Sequence, residues 1–173
     1  MLGRIKRVWR HRWLDDSVLQ RAVPADMLRR LGDRVAASER RHSGEIRIFV
    51  EAGLPLHCLW TDAPTRQICR QRALGVFSEL RVWDTAHNNG VLIYLLLAER
   101  SIEVVADRGL SERVSHEAWQ AMVGRMRSAF QQGQYEEGLT QALGEVSALL
   151  VEHFPLGDND GNPNELPDTP VLN

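Results

Sequence analysis

Apolar residues recur at two periods along this chain, and the changes of period mark its elements. From Pro24, which suits the first turn of a helix, Met27, Leu28, Leu31 and Val35 follow at helical spacing until Ser43-Gly44 ends the pattern. Ile46, Ile48 and Val50 then alternate with Glu45, Arg47, Phe49 and Glu51, which is the period of a strand. Residues 52–62 carry Gly53 and Pro55 and show no period, after which Pro64 opens a helix with Ile68, Val76, Phe77 and Leu80 on its inner face. Val91 to Ala98 and Ile102 to Ala106 are apolar runs separated by the polar Glu99-Arg100-Ser101, a β-hairpin pattern. Pairing Ala98 with Ile102 carries that ladder back to Tyr94 opposite Ala106.

Two amphipathic helices close the pattern. Ser111 or Ser115 caps the first, with Trp119, Met122, Val123, Met126 and Phe130 before Gly133. The second carries Tyr135, Leu139, Leu143, Val146, Leu150 and Phe154 and ends at Pro155. Strand, helix and strand form a βαβ unit whose strands are parallel, and the hairpin adds an antiparallel third. The fold class is therefore α/β, a mixed-sheet α/β sandwich with helices on both faces. Residues 1–23 form a basic amphipathic segment, 24–155 the folded domain, and 156–173 a flexible acidic tail too poor in apolar residues to order itself.

Composition narrows the function. The 173 residues, 43% hydrophobic and 25% charged, suit one soluble domain, and a formal charge of -2 argues against a general nucleic-acid binder. The charge is uneven, with Arg4, Lys6, Arg7, Arg10 and Arg12 preceding the first acid, Asp15. Leu2, Ile5, Trp9 and Trp13 share a face among these bases, so residues 1–14 either dock on their own domain or make a peripheral contact with an anionic membrane or acidic partner. Cys58 and Cys69 lack a CxxC or Cys/His spacing and are expected as reduced thiols. The longest apolar run falls far short of the roughly 20 residues that cross a bilayer. With no continuous apolar leader segment, the chain is expected in the cytoplasm.

Candidate chemistry gathers at one end of the sheet. The crossover returns through Asp84 to Asn88-Asn89-Gly90, and the second hairpin strand leaves through Asp107-Arg108, while His42, Ser43 and Glu45 enter the first strand there. Asp84, Asn88, Asn89 and Asp107 are hard oxygen ligands of the kind Ca2+ or Mg2+ takes, and Arg108 with a helix start near Ser111 and Ser115 can hold an anion. The competing reading is turn chemistry, which uses the same residue types. No GxSxG, CxxxxxR, DxDx[TV] or HExxH is present, so a metal-activated water fits better than a covalent route. His42, His87 and His116 lie near this end as candidate proton carriers.

Several short pieces in order resemble the TPM domain family: Glu39 with His42-Ser43-Gly44-Glu45-Ile46-Arg47, Asn88-Asn89-Gly90-Val91-Leu92-Ile93, and Val105-Ala106-Asp107-Arg108-Gly109-Leu110. Gly133-Gln134-Tyr135, His153-Phe154-Pro155 and Asn164-Glu165-Leu166-Pro167-Asp168 are similar to later parts of soluble bacterial members. The resemblance implies an α/β sandwich. It also implies calcium binding at acidic residues near the marked loops, with Asp84, Asn88, Asn89 and Asp107 as the ligand candidates. Weak acid phosphatase activity on phosphomonoesters is the family's most concrete catalytic property. The other reading is a metal-binding interaction or regulatory module linked to a membrane-associated complex, with a LemA-like membrane protein as partner.

Overall fold

The computed structural model describes Trp9, His11 and residues 16–157 and 161–173; the rest of the predicted amphipathic segment, including Trp13 and its bases, lies outside the described residues. The elements run α1 (Asp16–Ala22), α2 (Ala25–Glu39), β1 (Ile46–Glu51), α3 (Leu56–Leu59), α4 (Thr65–Glu79), β2 (Val91–Leu96), a 3-10 turn (Leu97–Glu99) and β3 (Ser101–Ala106), then α5 (Arg108–Ser111), α6 (His116–Gln131), α7 (Tyr135–His153) and β4 (Val171–Leu172). The predicted mixed sheet is present, in the order β3-β2-β1-β4, with β1 parallel to β2 and β2 antiparallel to β3. Prolines 24 and 64 immediately precede α2 and α4, as their fixed φ favours. Of the two predicted caps Ser115 is the one used, capping α6 by accepting from Ala118 N, while Ser111 ends the short α5 that Asp107 caps.

Helices cover both faces. On one, α2, α6 and α7 bury Leu31, Val35, Met126, Phe130, Val146 and Leu150 against Ile46, Ile48, Val91, Ile93 and Val104. On the other, α3 and α4 bury Leu59, Ile68, Ala73, Val76 and Phe77 against Phe49, Leu92, Tyr94, Leu96 and Val105. Alternate residues of β1 and β2 serve opposite cores, so every position of both strands is buried.

Two expectations are corrected. The hairpin pairs Leu96 with Ser101 and Tyr94 with Glu103, three residues out from the predicted ladder. The chain spends Leu97–Glu99 on a 3-10 turn and reverses at Arg100 in the left-handed conformation (φ 46°), so Ala98 never joins the strand. The predicted flexible tail is also overturned over residues 161–173, which fold back along β1. Val171 and Leu172 pair in parallel with Phe49 and Val50, and Leu166 is buried in the second core. A strand buried along its whole length needs hydrogen-bond partners on both edges, and on its second edge β1 finds them in the tail at Phe49 and Val50 and in the Glu39 carboxylate at Ile46 N.

Candidate functional site

Three loops meet where β1 and β2 begin and β3 ends. Glu45 O accepts from Val91 N (2.8 Å), Gly90 O accepts from Asp107 N (2.9 Å), and Asn88 O accepts from Gly109 N (2.9 Å), so the loops are joined through their backbones. Glycine makes this approach possible. A Cβ on Gly90 would stand 1.9 Å from the Val82 carbonyl oxygen, and one on Gly109 would stand 2.5 Å from that of Asn88.

The structure brings most of the predicted residues together. Arg108 donates from Nε and Nη2 to Asn88 Oδ1 (3.2 and 2.9 Å), and Asn88 itself holds a left-handed backbone (φ 52°). Asn89 donates from Nδ2 to Ser43 Oγ (3.2 Å), and Asp107 Oδ1 accepts from Arg108 N (2.7 Å). Asp84 is engaged otherwise: its exposed carboxylate pairs with Arg81, three residues earlier, at 2.8 Å. Ser111 and Ser115 turn to local helix bonds, with Arg108 O and Ala118 N respectively.

Three buried side-chain oxygens among the described residues have no hydrogen-bond partner: Glu45 Oε1, Asn89 Oδ1 and Asp107 Oδ2. All three belong to the joined loops. Glu45 was placed at this end by sequence but left out of the candidate ligands. Its carboxyl is pushed up by burial, while its Oε2 accepts from Leu166 N (3.1 Å). No group of three or more His, Cys, Asp and Glu side chains among the described residues is arranged to hold a metal, so any cation there must also draw on amide or backbone oxygens. Calcium accepts both.

The folded-back tail borders this end, which the sequence reading did not foresee. Asn162 Nδ2 donates to His42 O (3.0 Å), and the Glu165 carboxylate accepts from Ala86 N (3.1 Å). A cleft of about 410 Å³ between the end of α2 and the tail is lined by Glu39, Arg40, Asn162, Asn164 and Asp168. Burial, with the neighbouring charges of Glu45 and Asp168 adding to it, pushes the Glu39 carboxyl up to about 9 although its Oε1 accepts from Ile46 N. His42 is fully buried between Ser38 Oγ (2.9 Å) and Gly44 O (3.0 Å), and burial lowers it to about 4. Nδ1 therefore donates to the carbonyl and the ring is neutral, which makes His42 a structural pin. His87 is exposed, and His116 Nε2 lies 2.8 Å from the Gln120 amide.

No helix among the described residues is long and apolar enough to cross a membrane. No curated protein matches the chain. Among solved structures, it is similar to the BA42 protein of the psychrophilic bacterium Bizionia argentinensis, with 26% identity, a TM-score of 0.71, and coverage of 87% of this chain and 95% of that one. It is also similar in fold to the N-terminal domain of a P. gingivalis protein, at 22% identity and a TM-score of 0.57, covering 77% and 81% of the two chains. The model of the TPM domain matches residues 18–149, and the chain belongs to the TPM domain family.

Proposed function

We propose that the protein is a metal-responsive interaction module that takes a hard divalent cation, Ca2+ or Mg2+, at the joined loops and serves a membrane-associated complex from the cytoplasmic side. The observation that supports this reading is the trio of buried, unpartnered oxygens on Glu45, Asn89 and Asp107. Native folds rarely leave such groups unsatisfied, and each one costs about 1–3 kcal/mol. Two carboxylates and an amide are the donor types that calcium and magnesium select. In this reading the cation stiffens the loops and the tail that borders them, and a partner such as a LemA-like membrane protein reads the stiffened surface.

The second reading is a weak metal-dependent acid phosphatase. It draws on Arg108, which is exposed and sits beside Asp107, as the group that would hold a phosphate. Both are tested by titrating Ca2+ and Mg2+ into metal-stripped protein by calorimetry, with wild type and Asp107→Asn, while p-nitrophenyl phosphate turnover is followed in the same samples. Binding in the wild type, weakened at least about tenfold in Asp107→Asn and without turnover, is the expected result. Turnover that requires metal and disappears in Asp107→Asn would favour the phosphatase. Absence of binding would refute both.

A further inference from the structure

Among the described residues no strand covers the outer edge of β3. In the order β3-β2-β1-β4 the tail lies beyond β1, and β3 ends the sheet on the other side. The ladder to β2 decides which of its backbone groups face out. Asp107 N donates to Gly90 O in the register that sets Val91 opposite Ala106, so Leu92–Val105, Tyr94–Glu103 and Leu96–Ser101 are the hydrogen-bonded pairs. The N–H and C=O groups of Ile102, Val104 and Ala106 therefore point away from β2. A bond from outside agrees with that direction, since Arg70 Nη1 donates to Val104 O at 2.7 Å. The Arg70 side chain is itself exposed, so what fills this ladder position is a group that can leave it.

A helix stands on either side of the edge. On α4, Arg66 lies one turn before Arg70, and Leu74, 38% exposed, lies one turn after it. On α6, Arg127 ends a stripe that Trp119 and Val123 begin at four-residue intervals, both half-buried against the first core. Burial pushes the Glu103 carboxyl up, while the charges of Arg70, Arg66 and Arg127 act against the shift, which gathers three guanidiniums around one acid. Arg100 closes one end of the channel by donating to Gln131 O at 2.7 Å. Asp62, ahead of α4, offsets part of this charge, and Glu99 turns to His11 beside the end of β1. The surround stays basic. Charged side chains are a common guard on a bare edge, and Arg70 serves as one here. Once displaced from Val104 O, the same guanidinium is available to a carboxylate. A second copy docked edge to edge would instead set these arginines against one another.

We propose that β3 is a docking edge that takes an extended acidic segment of a partner protein as an added strand between α4 and α6. The test uses the full chain in EDTA, so that it is independent of the metal site. The probe is a fluorescent peptide of alternating glutamate and valine, with binding followed by anisotropy and amide exchange of the protein by NMR. The expected result is binding that slows exchange at the Ile102, Val104 and Ala106 amides. It should weaken at least about tenfold in Arg66→Glu/Arg127→Glu, whose folding is verified by circular dichroism. A backbone N-methylated form of the peptide should not bind, because it cannot complete the ladder. Failure of the parent peptide to bind, equal binding by the N-methylated form or by the double variant, or unchanged exchange at β3 would overturn the proposal. So would self-association of the free protein that slows the same amides, which would assign the edge to a second copy of the chain.

Discussion

Glu45 and Glu51 bracket the same strand, and both are fully buried, yet their surroundings are opposite. Glu51 is satisfied on every side. Arg72 donates to it from Nε (3.1 and 3.0 Å) and Nη2 (2.9 Å), Tyr94 Oη donates at 2.6 Å, and Asn173 Nδ2 at 2.9 Å. Arg72 also holds Glu79 at 2.9 Å, beside a cleft of about 350 Å³ lined by His57, Cys58 and Gln71. Glu45 is held through one oxygen, which accepts from Leu166 N, and its second oxygen is idle. A buried carboxylate that is fully paired holds the fold together and has no capacity left for a ligand. One that is half paired retains that capacity and forgoes stability.

The largest effect should come from the satisfied end. Arg72→Ala strands Glu51 in the core, and thermal melting should show a loss of about 3–5 kcal/mol, or roughly 10 °C. Glu45→Gln should change the metal-free melting point by less than about 1 kcal/mol, because the idle oxygen gives up nothing. If the two substitutions proved equally damaging, the comparison would fail. Gly90→Ala tests whether the loop end depends on backbone contact: its Cβ would meet the Val82 carbonyl, and denaturant titration should record a loss of about 3 kcal/mol.

A third comparison uses pH. Burial disfavours the charge of Glu39 and pushes its carboxyl up to about 9 from the ordinary 4.5. The fold therefore binds the extra proton between those values, and stability declines as pH rises through them. His42 is shifted the other way, to about 4, so its contribution is complete above 6.5 and is lost only on acidification. Between pH 7 and 9 Glu39 acts alone among these two. Wild type should lose up to about 1 kcal/mol per pH unit there, and melting curves of Glu39→Gln should be flatter. The smallest effect should be that of Asp84→Asn. Its exposed pair with Arg81 is worth at most about 1 kcal/mol, and the calcium-induced shift in melting temperature should survive the change.

How much of this was legible in sequence depends on the kind of signal. Alternation in β1, the two helix-opening prolines and the hairpin sufficed for layers and strand directions, and the βαβ crossover sufficed to put Asn88, Asn89 and Asp107 at one end. The hairpin register was not legible, because nothing in Ala98-Glu99-Arg100 announces a left-handed arginine, which few side chains favour. The pairing of Asp84 with Arg81 was not legible either, because a partner only three residues away on an exposed turn leaves no mark in the hydrophobic pattern. The tail was misread because its mean composition is that of a disordered segment, whereas its sparse apolar residues, Leu166, Val171 and Leu172, each find a specific place. Full burial of β1 was the missing clue, since such a strand cannot leave one edge bare.

That late partner has a consequence in time. β1 is the first of the described strands in sequence and β4 the last, yet they lie side by side, Phe49 against Val171. Loop-closure entropy makes a pairing between such distant segments slow. Until it forms, the unpaired backbone edge of β1 is open to other chains. The rate at which residues 171–172 dock on β1 then bears on how much of the protein escapes aggregation.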